Sequence, residues 1–310
     1  MADDPTGSDT YSVRSGRSLS SSASTTVKHP EMHDPGLNSS IVETISASFH
    51  DGAVTRAGLI GEVAFVYNPP DFSAPFGTDT IRLDNFTDLE KVAPNPQFIE
   101  AVSDSPGSYT VNLSQATKTA VAFKYQVRLE EGALAAHAPL LLKPVWKIEP
   151  NQASVILTYG INPTFSQSMG ADKSSLSLSN AIVVIHLDPT GPKATSCKAA
   201  GGGTFSRDRN LVYWRLGDIT LAKNGPPQIL RARFFTDGEP KSGSVEARWE
   251  IHGEHANGRG SGLSVSVMEH GAGGAEADPF ADEDAASAPA VSWKDVRTVK
   301  SLRSGTYMAS

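Results

Sequence analysis

Residues 139–163, PLLLKPVWKIEPNQASVILTYGINP, constrain the fold more than any other stretch of the chain. Across residues 145–149 the side chains alternate between two faces, which is the period of a β-strand. The Pro-Asn-Gln sequence at residues 150–152 then interrupts the run with turn-forming residues. A second β-rich run occupies residues 153–160. The stretch therefore predicts two antiparallel strands joined by a polar turn.

Short runs with strand composition recur along the chain, separated by Gly, Pro or Asn. Residues 41–67 give the strongest hairpin signal, with Asp51-Gly52 as its turn. Helix signals are weak, and we expect a short helical turn near residues 88–92 or 97–102. Many short strands with little helix predict an all-β sandwich or barrel. The further predicted strands are residues 109–113, 118–129, 140–149, 153–159, 181–187, 211–216, 229–235, 244–251, 263–268 and 296–302.

Composition bounds the class of protein. A chain of 310 residues with 39% hydrophobic content can bury one large core or two modest ones. The formal net charge of -7 argues against nucleic-acid binding through bulk charge, and leaves a local basic patch open. The single cysteine, Cys197, cannot form an intrachain disulfide, and no signal peptide is visible, so we expect a cytoplasmic protein. No apolar run is long enough to cross a bilayer, so membrane contact would be peripheral.

No group of residues has the spacing of a catalytic or metal site. His252 and His255 match neither zincin arrangement. The glycines at residues 201–203 lack the Lys-Ser/Thr that a phosphate-binding loop requires. We therefore predict a protein without catalysis, cofactor or metal.

The particular residues in three stretches resemble one family. Residues 139–163 contain a Lys-Pro-Val-Trp-Lys strand, the Pro-Asn-Gln turn and a Tyr-Gly-Ile-Asn-Pro exit, which resemble the mu-homology domain of the muniscins. Residues 41–67 look like the opening hairpin of that domain. Residues 301–310, SLRSGTYMAS, look like the closing strand of mu-type adaptor chains, which carries a Ser-Gly-x-Tyr sequence. The resemblance covers residues 41–310.

This resemblance implies an all-β, elongated two-subdomain β-sandwich in which subdomain B is inserted into subdomain A. Subdomain A would comprise residues 41–150 and 291–310, and subdomain B residues 151–269. Composition adds two further segments. Residues 1–40 read as a disordered Ser/Thr-rich tail, and residues 270–290 as a flexible acidic loop.

Muniscins are non-catalytic endocytic adaptors. The resemblance therefore implies binding to transmembrane cargo tails, to early endocytic scaffold proteins and to the clathrin adaptor complex, at plasma-membrane sites of endocytosis. Which cargo is bound, and whether the domain dimerises, is not predicted. Two alternatives stay open at this point. One is the medium subunit of another vesicle coat complex, and the other is a β-sandwich module that binds or hydrolyses glycans.

The chain departs from the family pattern in two places. Mu chains that read tyrosine-based signals carry a Trp-Val-Arg segment before the final Ser-Gly, whereas residues 297–299 here read Arg-Thr-Val and Trp293 lies upstream. Reading of tyrosine signals is therefore not expected. Muniscins typically also carry a membrane-bending F-BAR domain, which residues 1–40 cannot form. We expect either part of a longer adaptor or a form without membrane bending.

A first candidate binding motif lies in the acidic loop. Asp278, Pro279 and Phe280 precede the acidic run at residues 281–284, and this tripeptide resembles the motif that clathrin-adaptor appendage domains bind. Proline sets a turn, aspartate can cap it and phenylalanine can fill an apolar pocket on the partner. The alternative is that Phe280 packs the loop onto the sandwich.

A second candidate is a basic patch. Lys118, Lys124 and Arg128 share parity along one predicted strand, and Lys143 and Lys147 share parity along the next. A hairpin of these two strands would bring the five cations together. Such a patch suits acidic motifs of scaffold partners or anionic phospholipid headgroups. The alternative is an ordinary solvated face of a sandwich.

Overall fold

Strands make up most of the part of the chain that the structure describes. This computed structural model describes residues 27–71, 73, 75–170, 173–269 and 292–310. Within those ranges lie two short α-helices, α1 (Leu134–His137) and α2 (Pro163–Ser168), and four 3-10 turns at Phe86–Asp88, Leu113–Gln115, Glu131–Ala133 and Gly253–His255. None of the helices in the described ranges is long and apolar enough to cross a membrane. The strands are β1 (Gly36–His50), β2 (Ala53–Asn68), β3 (Thr78–Asp84), β4 (Leu89–Pro94), β5 (Ile99–Ala101), β6 (Ser108–Asn112), β7 (Ala120–Val127), β8 (Leu140–Glu149), β9 (Gln152–Ile161), β10 (Ser175–His186), β11 (Ala194–Ala199), β12 (Thr204–Ser206), β13 (Leu211–Ala222), β14 (Gln228–Thr236), β15 (Ser244–His252), β16 (Ser264–Glu269), β17 (Ser292–Asp295) and β18 (Arg297–Ala309).

The strands form three sheets. Their orders are β12-β13-β10-β15-β18-β1-β2-β7-β4, β11-β14-β9-β8 and β17-β16-β3-β6-β5. The five-stranded sheet packs on the large sheet at β7, where the ring centroids of Tyr109 and Phe123 lie 4.7 Å apart. The four-stranded sheet packs near its other end, where the ring centroids of Phe205 and Phe234 lie 6.3 Å apart. The predicted all-β sandwich is confirmed, as two sandwiches that share one large sheet.

Both predicted hairpins form with the expected turns. Asp51 and Gly52 join β1 to β2 with φ angles of 50° and 80°. Two positive φ angles are typical of the tight turns that match the twist of paired strands. In the second hairpin Glu149 pairs with Gln152, so that the two residues between them make the turn from β8 to β9.

The last strand, β18, connects the two halves of the large sheet, because it pairs in parallel with β1 and antiparallel with β15. The Ser-Gly-x-Tyr sequence holds it there. The hydroxyl of the fully buried Tyr307 donates to the carbonyl of Leu140 and accepts from the Leu140 N–H at 3.1 Å. At Gly305 an added Cβ would lie 2.5 Å from the Ser46 Oγ, so a larger residue would collide with the Ser46 side chain.

A buried carboxylate ties β1 to the loop that follows β15. Glu43 is 5% exposed and accepts hydrogen bonds from the Tyr125 hydroxyl at 2.8 Å and from the Ser261 N–H at 3.2 Å. The Ser261 hydroxyl donates to the same carboxylate. Burial raises the pKa of Glu43, although the hydrogen bonds from Ser261 and Tyr125 act in the opposite direction. The loop is thus anchored to the centre of the large sheet.

The predicted tail of residues 1–40 requires correction, because β1 begins at Gly36. Ser39 and Ser40 are fully buried in this strand. Their hydroxyls have partners, since Ser39 bonds to Thr298 and Ser40 bonds to the His29 ring at 3.0 Å. Small polar residues that bond across strands can therefore form sheet, although their composition resembles that of a disordered segment.

The predicted short helical turn near residues 88–92 or 97–102 is right only at the edges of these segments, where a 3-10 turn covers Phe86–Asp88 and the N–H groups of Phe98 and Ile99 donate to the Asn95 carbonyl. Most of their residues instead form the short strands β4 and β5, which pair with β7 and β6. Pairing with a neighbouring strand outweighs a weak local helix preference.

The division into subdomains A and B stays a prediction. Strand pairing bears on where its boundaries would fall, since β8 pairs with β9 across the proposed boundary at residue 150. Likewise β16, assigned to subdomain B, pairs with β3. The acidic loop predicted at residues 270–290 lies outside the described residues.

We expect Tyr307→Phe to lower the free energy of unfolding by about 1–3 kcal/mol, because the buried N–H and carbonyl of Leu140 would lose their partner. Urea denaturation measures this change. Tyr213→Phe on β13 is the matched control and should change the free energy by less than about 0.5 kcal/mol. Equal stabilities of the two variants would contradict the assignment.

The raised pKa of Glu43 predicts a pH dependence of stability. Because the folded state holds the proton to higher pH than the unfolded state, the contribution is complete below the usual pKa of 4.5. It is lost as the pH rises through the raised pKa of the folded state. The free energy of unfolding of wild type minus that of Glu43→Gln should therefore fall between pH 4.5 and pH 8. A difference that stays constant over this range would refute the prediction.

Candidate functional site

The outer surface of the four-stranded sheet is both basic and apolar. Burial alternates residue by residue along β9 and β14, so that one set of side chains faces the core and the other faces solvent. We name the solvent-facing set the basic sheet face. Its charged and apolar members are Lys143, Val145, Lys147, Glu149, Ile156, Lys198, Ile229, Arg231, Arg233 and Phe235.

The register of the strands arranges these residues in rows. Because neighbouring strands lie about 4.8 Å apart, residues of one row are side by side. One row runs Lys147-Ser154-Arg233-Lys198, and the next runs Val145-Ile156-Arg231. A cation therefore stands beside an apolar residue or another cation at most positions.

The apolar members are more exposed than is usual for such residues. Val145, Ile156 and Ile229 are 56%, 43% and 50% exposed, and they are three of the six large hydrophobic residues that the described ranges expose. Lys198 places its ammonium 5.8 Å from the ring centroid of Phe235. Clustered exposed apolar residues beside charges are typical of protein or membrane interaction surfaces.

The cations of the basic sheet face outnumber its carboxylates. Lys147 lies 3.0 Å from Glu149, and hydrogen bonds from Gln152 and Lys147 lower the pKa of Glu149. Arg233 donates from its Nε to the Ser154 Oγ at 3.2 Å, a neutral partner. Among the described residues, Lys147 alone of the five cations has a carboxylate within ion-pair distance. The face thus carries uncompensated positive charge on a chain whose net charge is -7.

The five basic residues predicted to form one patch are divided between two sheets. Lys124 lies on β7 in the large sheet, where it pairs with Glu62 at 3.0 Å. Lys118 and Arg128 are exposed just before and just after β7. The hairpin predicted to join them to the two lysines of β8 is wrong, because β7 pairs with β2 and β4 whereas β8 pairs with β9.

Asp278, Pro279 and Phe280 lie outside the described residues, so their role in partner binding stays a prediction. His252 pairs with Glu250 at 2.9 Å on the protein surface. Within the described ranges, no group of three or more His, Cys, Asp or Glu residues could hold a metal ion.

Three cations of the basic sheet face were missed in the sequence, namely Lys198, Arg231 and Arg233. One local signal was available, since Arg231 and Arg233 share parity with the exposed Ile229. Their position beside Lys147 depends on the order β11-β14-β9-β8, which pairs segments far apart in the chain. Parity along one strand does not reveal that order.

The fold is shared with solved structures. The chain is similar to the Fcho1 mu homology domain of Danio rerio with bound Eps15 peptide, with a TM-score of 0.60 and 18% identity over 89% of this chain and 97% of that chain. It is also similar to the yeast delta-COP-I mu-homology domain, with a TM-score of 0.52 and 15% identity over 91% and 100% of the two chains. The protein therefore has the fold of a mu-homology domain.

Sequence comparison identifies the family. The profile of the muniscin C-terminal mu homology domain matches residues 35–310. The chain is 32% identical over 284 residues to the Suppressor of yeast profilin deletion of Saccharomyces cerevisiae, covering 88% of this chain and 29% of that protein. The chain thus belongs to the muniscin C-terminal mu homology domain family, whose members are non-catalytic adaptor and binding domains. It spans a minor part of the length of the yeast relative.

Proposed function

We propose that this domain is a muniscin-type endocytic adaptor that binds short peptide motifs of early scaffold proteins. Membership of the muniscin family supports this role, as does the Eps15 peptide bound to the Fcho1 domain of similar fold. Cargo tails and the clathrin adaptor complex complete the proposed set of partners. The adaptor would act from the cytoplasm, as a peripheral protein at plasma-membrane sites of endocytosis.

The observation that carries the proposal is the basic sheet face. A surface with five cations, one carboxylate and several exposed apolar side chains suits a peptide in which acidic and apolar residues alternate. The cations attract and orient the acidic residues, while Val145, Ile156 and Ile229 supply apolar contact area. An anionic phospholipid surface offers the same charges without matching apolar side chains, so we rank it as a secondary contact.

The remaining predicted residues fit around this surface. Lys118, Lys124 and Arg128 would contribute to long-range attraction rather than to the same contact, because they lie on the large sheet. The Asp-Pro-Phe sequence at residues 278–280 would bind the appendage of the clathrin adaptor complex in the opposite direction, with this chain supplying the motif. The domain would then connect scaffold and adaptor complex through two separate regions.

Charge reversal tests the basic sheet face. We expect Arg231→Glu combined with Arg233→Glu to weaken binding of the fluorescein-labelled Eps15 peptide by about tenfold, since two solvent-accessible charge contacts are together worth roughly 1.4 kcal/mol. Fluorescence anisotropy measures the affinity, and the wild-type affinity should fall more steeply with added salt. The matched control reverses the exposed Arg56 and Lys91, which lie on the large sheet. Equal affinity of the two double variants would refute the proposal that the basic sheet face binds the peptide.

The proposed motif at residues 278–280 has its own test. An isolated appendage domain should retain the wild-type protein on a column, and Phe280→Ala should abolish retention because the ring would no longer fill an apolar pocket of the partner. Phe76→Ala removes an aromatic ring that is 46% exposed elsewhere and should have no effect. Equal recovery of wild type and Phe280→Ala would refute the proposal that residues 278–280 bind the appendage domain.

A further inference from the structure

A cavity of about 350 Å³ lies between the two short helices and the loop that follows β15. The side chains that matter for its chemistry are those of His137, Phe165, Ser168, Lys173 and Arg259. Asn162 holds the two helices together, because its side-chain amide donates to the Ala135 carbonyl at 2.9 Å and its Oδ1 accepts from the Thr164 N–H at 3.2 Å. These hydrogen bonds fix the positions of the two helices that form one side of the cavity.

Arg259 contributes a buried cation to this cavity. Arg259 is 7% exposed, and its guanidinium carbon lies 5.2 Å from the ring centroid of Phe165. The Nε donates to the His255 carbonyl, whereas the buried Nη2 has no hydrogen-bond partner among the residues that the structure describes. Burying a charged nitrogen without a partner is costly, so this nitrogen calls for an acceptor that the described residues do not supply.

The loop geometry fixes where this guanidinium points. The glycines on either side of Arg259, Gly258 and Gly260, both have a φ angle of 69°. The anchor between Glu43 and Ser261 begins one residue later, and an added Cβ at Gly260 would overlap the Glu43 carboxylate. Arg259 is thus presented from a turn that is held tightly against β1.

Lys173 supplies a second positive charge to the lining of the cavity. Lys173 donates from its Nζ to the Asn257 carbonyl at 2.8 Å, which leaves two ammonium hydrogens for another acceptor. The lining residues include no Asp or Glu among those that the structure describes. Burial lowers the pKa of His137, so that its ring is neutral at neutral pH and supplies a hydrogen bond rather than a charge. The described lining therefore carries two fixed positive charges and no negative charge.

We propose that this cavity binds the phosphate monoester of a phosphorylated side chain on a partner peptide. A phosphate monoester carries about -1.5 to -2 charges and three acceptor oxygens at neutral pH, which matches one guanidinium and one ammonium. The volume accommodates the phosphate together with its side-chain stem. A phosphorylated side chain can enter the cavity and reach the buried guanidinium. A flat bilayer surface would instead contact exposed lysines, so the burial of Arg259 favours a peptide ligand. The site lies apart from the basic sheet face and does not depend on the proposed adaptor function.

Isothermal titration calorimetry with N-acetyl-O-phosphoserine amide tests this site. Wild type should bind it, and should not bind N-acetylserine amide or acetate at the same concentrations. We expect Arg259→Gln to weaken binding by roughly tenfold to a hundredfold, and Lys173→Ala by about tenfold, as is usual for charged hydrogen bonds. Lys91→Ala on β4 is the matched control and should bind like wild type. Absence of binding by wild type would overturn the proposal, as would an unchanged affinity of Lys173→Ala, which keeps the buried arginine.

Two further measurements separate a phosphopeptide site from an internal ion pair and from a lipid site. Asp172 lies outside the described residues and precedes Lys173 in the sequence. The phosphate site predicts that Asp172→Asn binds phosphoserine equally or more tightly, whereas a loss of thermal stability in that variant would identify Asp172 as the counter-ion of Arg259 and overturn the proposal. The second measurement is binding of wild type and Arg259→Gln to vesicles that contain phosphatidylinositol 4,5-bisphosphate. If wild type binds these vesicles but not phosphoserine, and Arg259→Gln loses vesicle binding, the cavity binds a lipid headgroup. That result would overturn the proposal of a phosphopeptide site.

Discussion

The pairing of β18 with β1 on one side and β15 on the other is the interaction on which the rest of the structure depends. It joins segments from opposite ends of the chain into one sheet, on which both smaller sheets pack. Tyr307 secures it by satisfying the backbone of Leu140, where β8 begins. The hydroxyl therefore links the seam of the large sheet to the edge of the sheet that carries the basic sheet face.

The two candidate binding regions use this frame in different ways. The basic sheet face is the solvent side of a sheet, where cations and apolar residues are exposed and separated by strand spacing. The Arg259 cavity lies beside a turn that Glu43 anchors to β1, and it holds its charge out of solvent. An exposed face favours weak, salt-dependent contacts, whereas a buried guanidinium favours selection of one chemical group. Such a division suits an adaptor that has several partners.

Local sequence patterns predicted the elements well where one strand or one turn determines them. The hairpins around Asp51-Gly52 and at residues 150–152 follow from turn chemistry and alternation, and both are present. The polar composition of residues 1–40 predicts a tail, yet this segment includes the start of β1, where Ser39 and Ser40 are buried. Their burial depends on β18 and on Thr298, whose hydroxyl bonds to Ser39. Composition cannot supply such a distant partner.

The amino-acid sequence by itself determined the all-β class, the hairpins and, through three resembling stretches, membership of the muniscin family. Lys143 and Lys147 could be placed on one face of a strand because side-chain direction follows residue parity. Tertiary structure decided which strands lie beside that strand. It separated these lysines from Lys124, placed Arg231 and Arg233 beside them, and enclosed Arg259 in a cavity. Strand order and loop closure depend on contacts between distant segments, and no local pattern encodes those contacts.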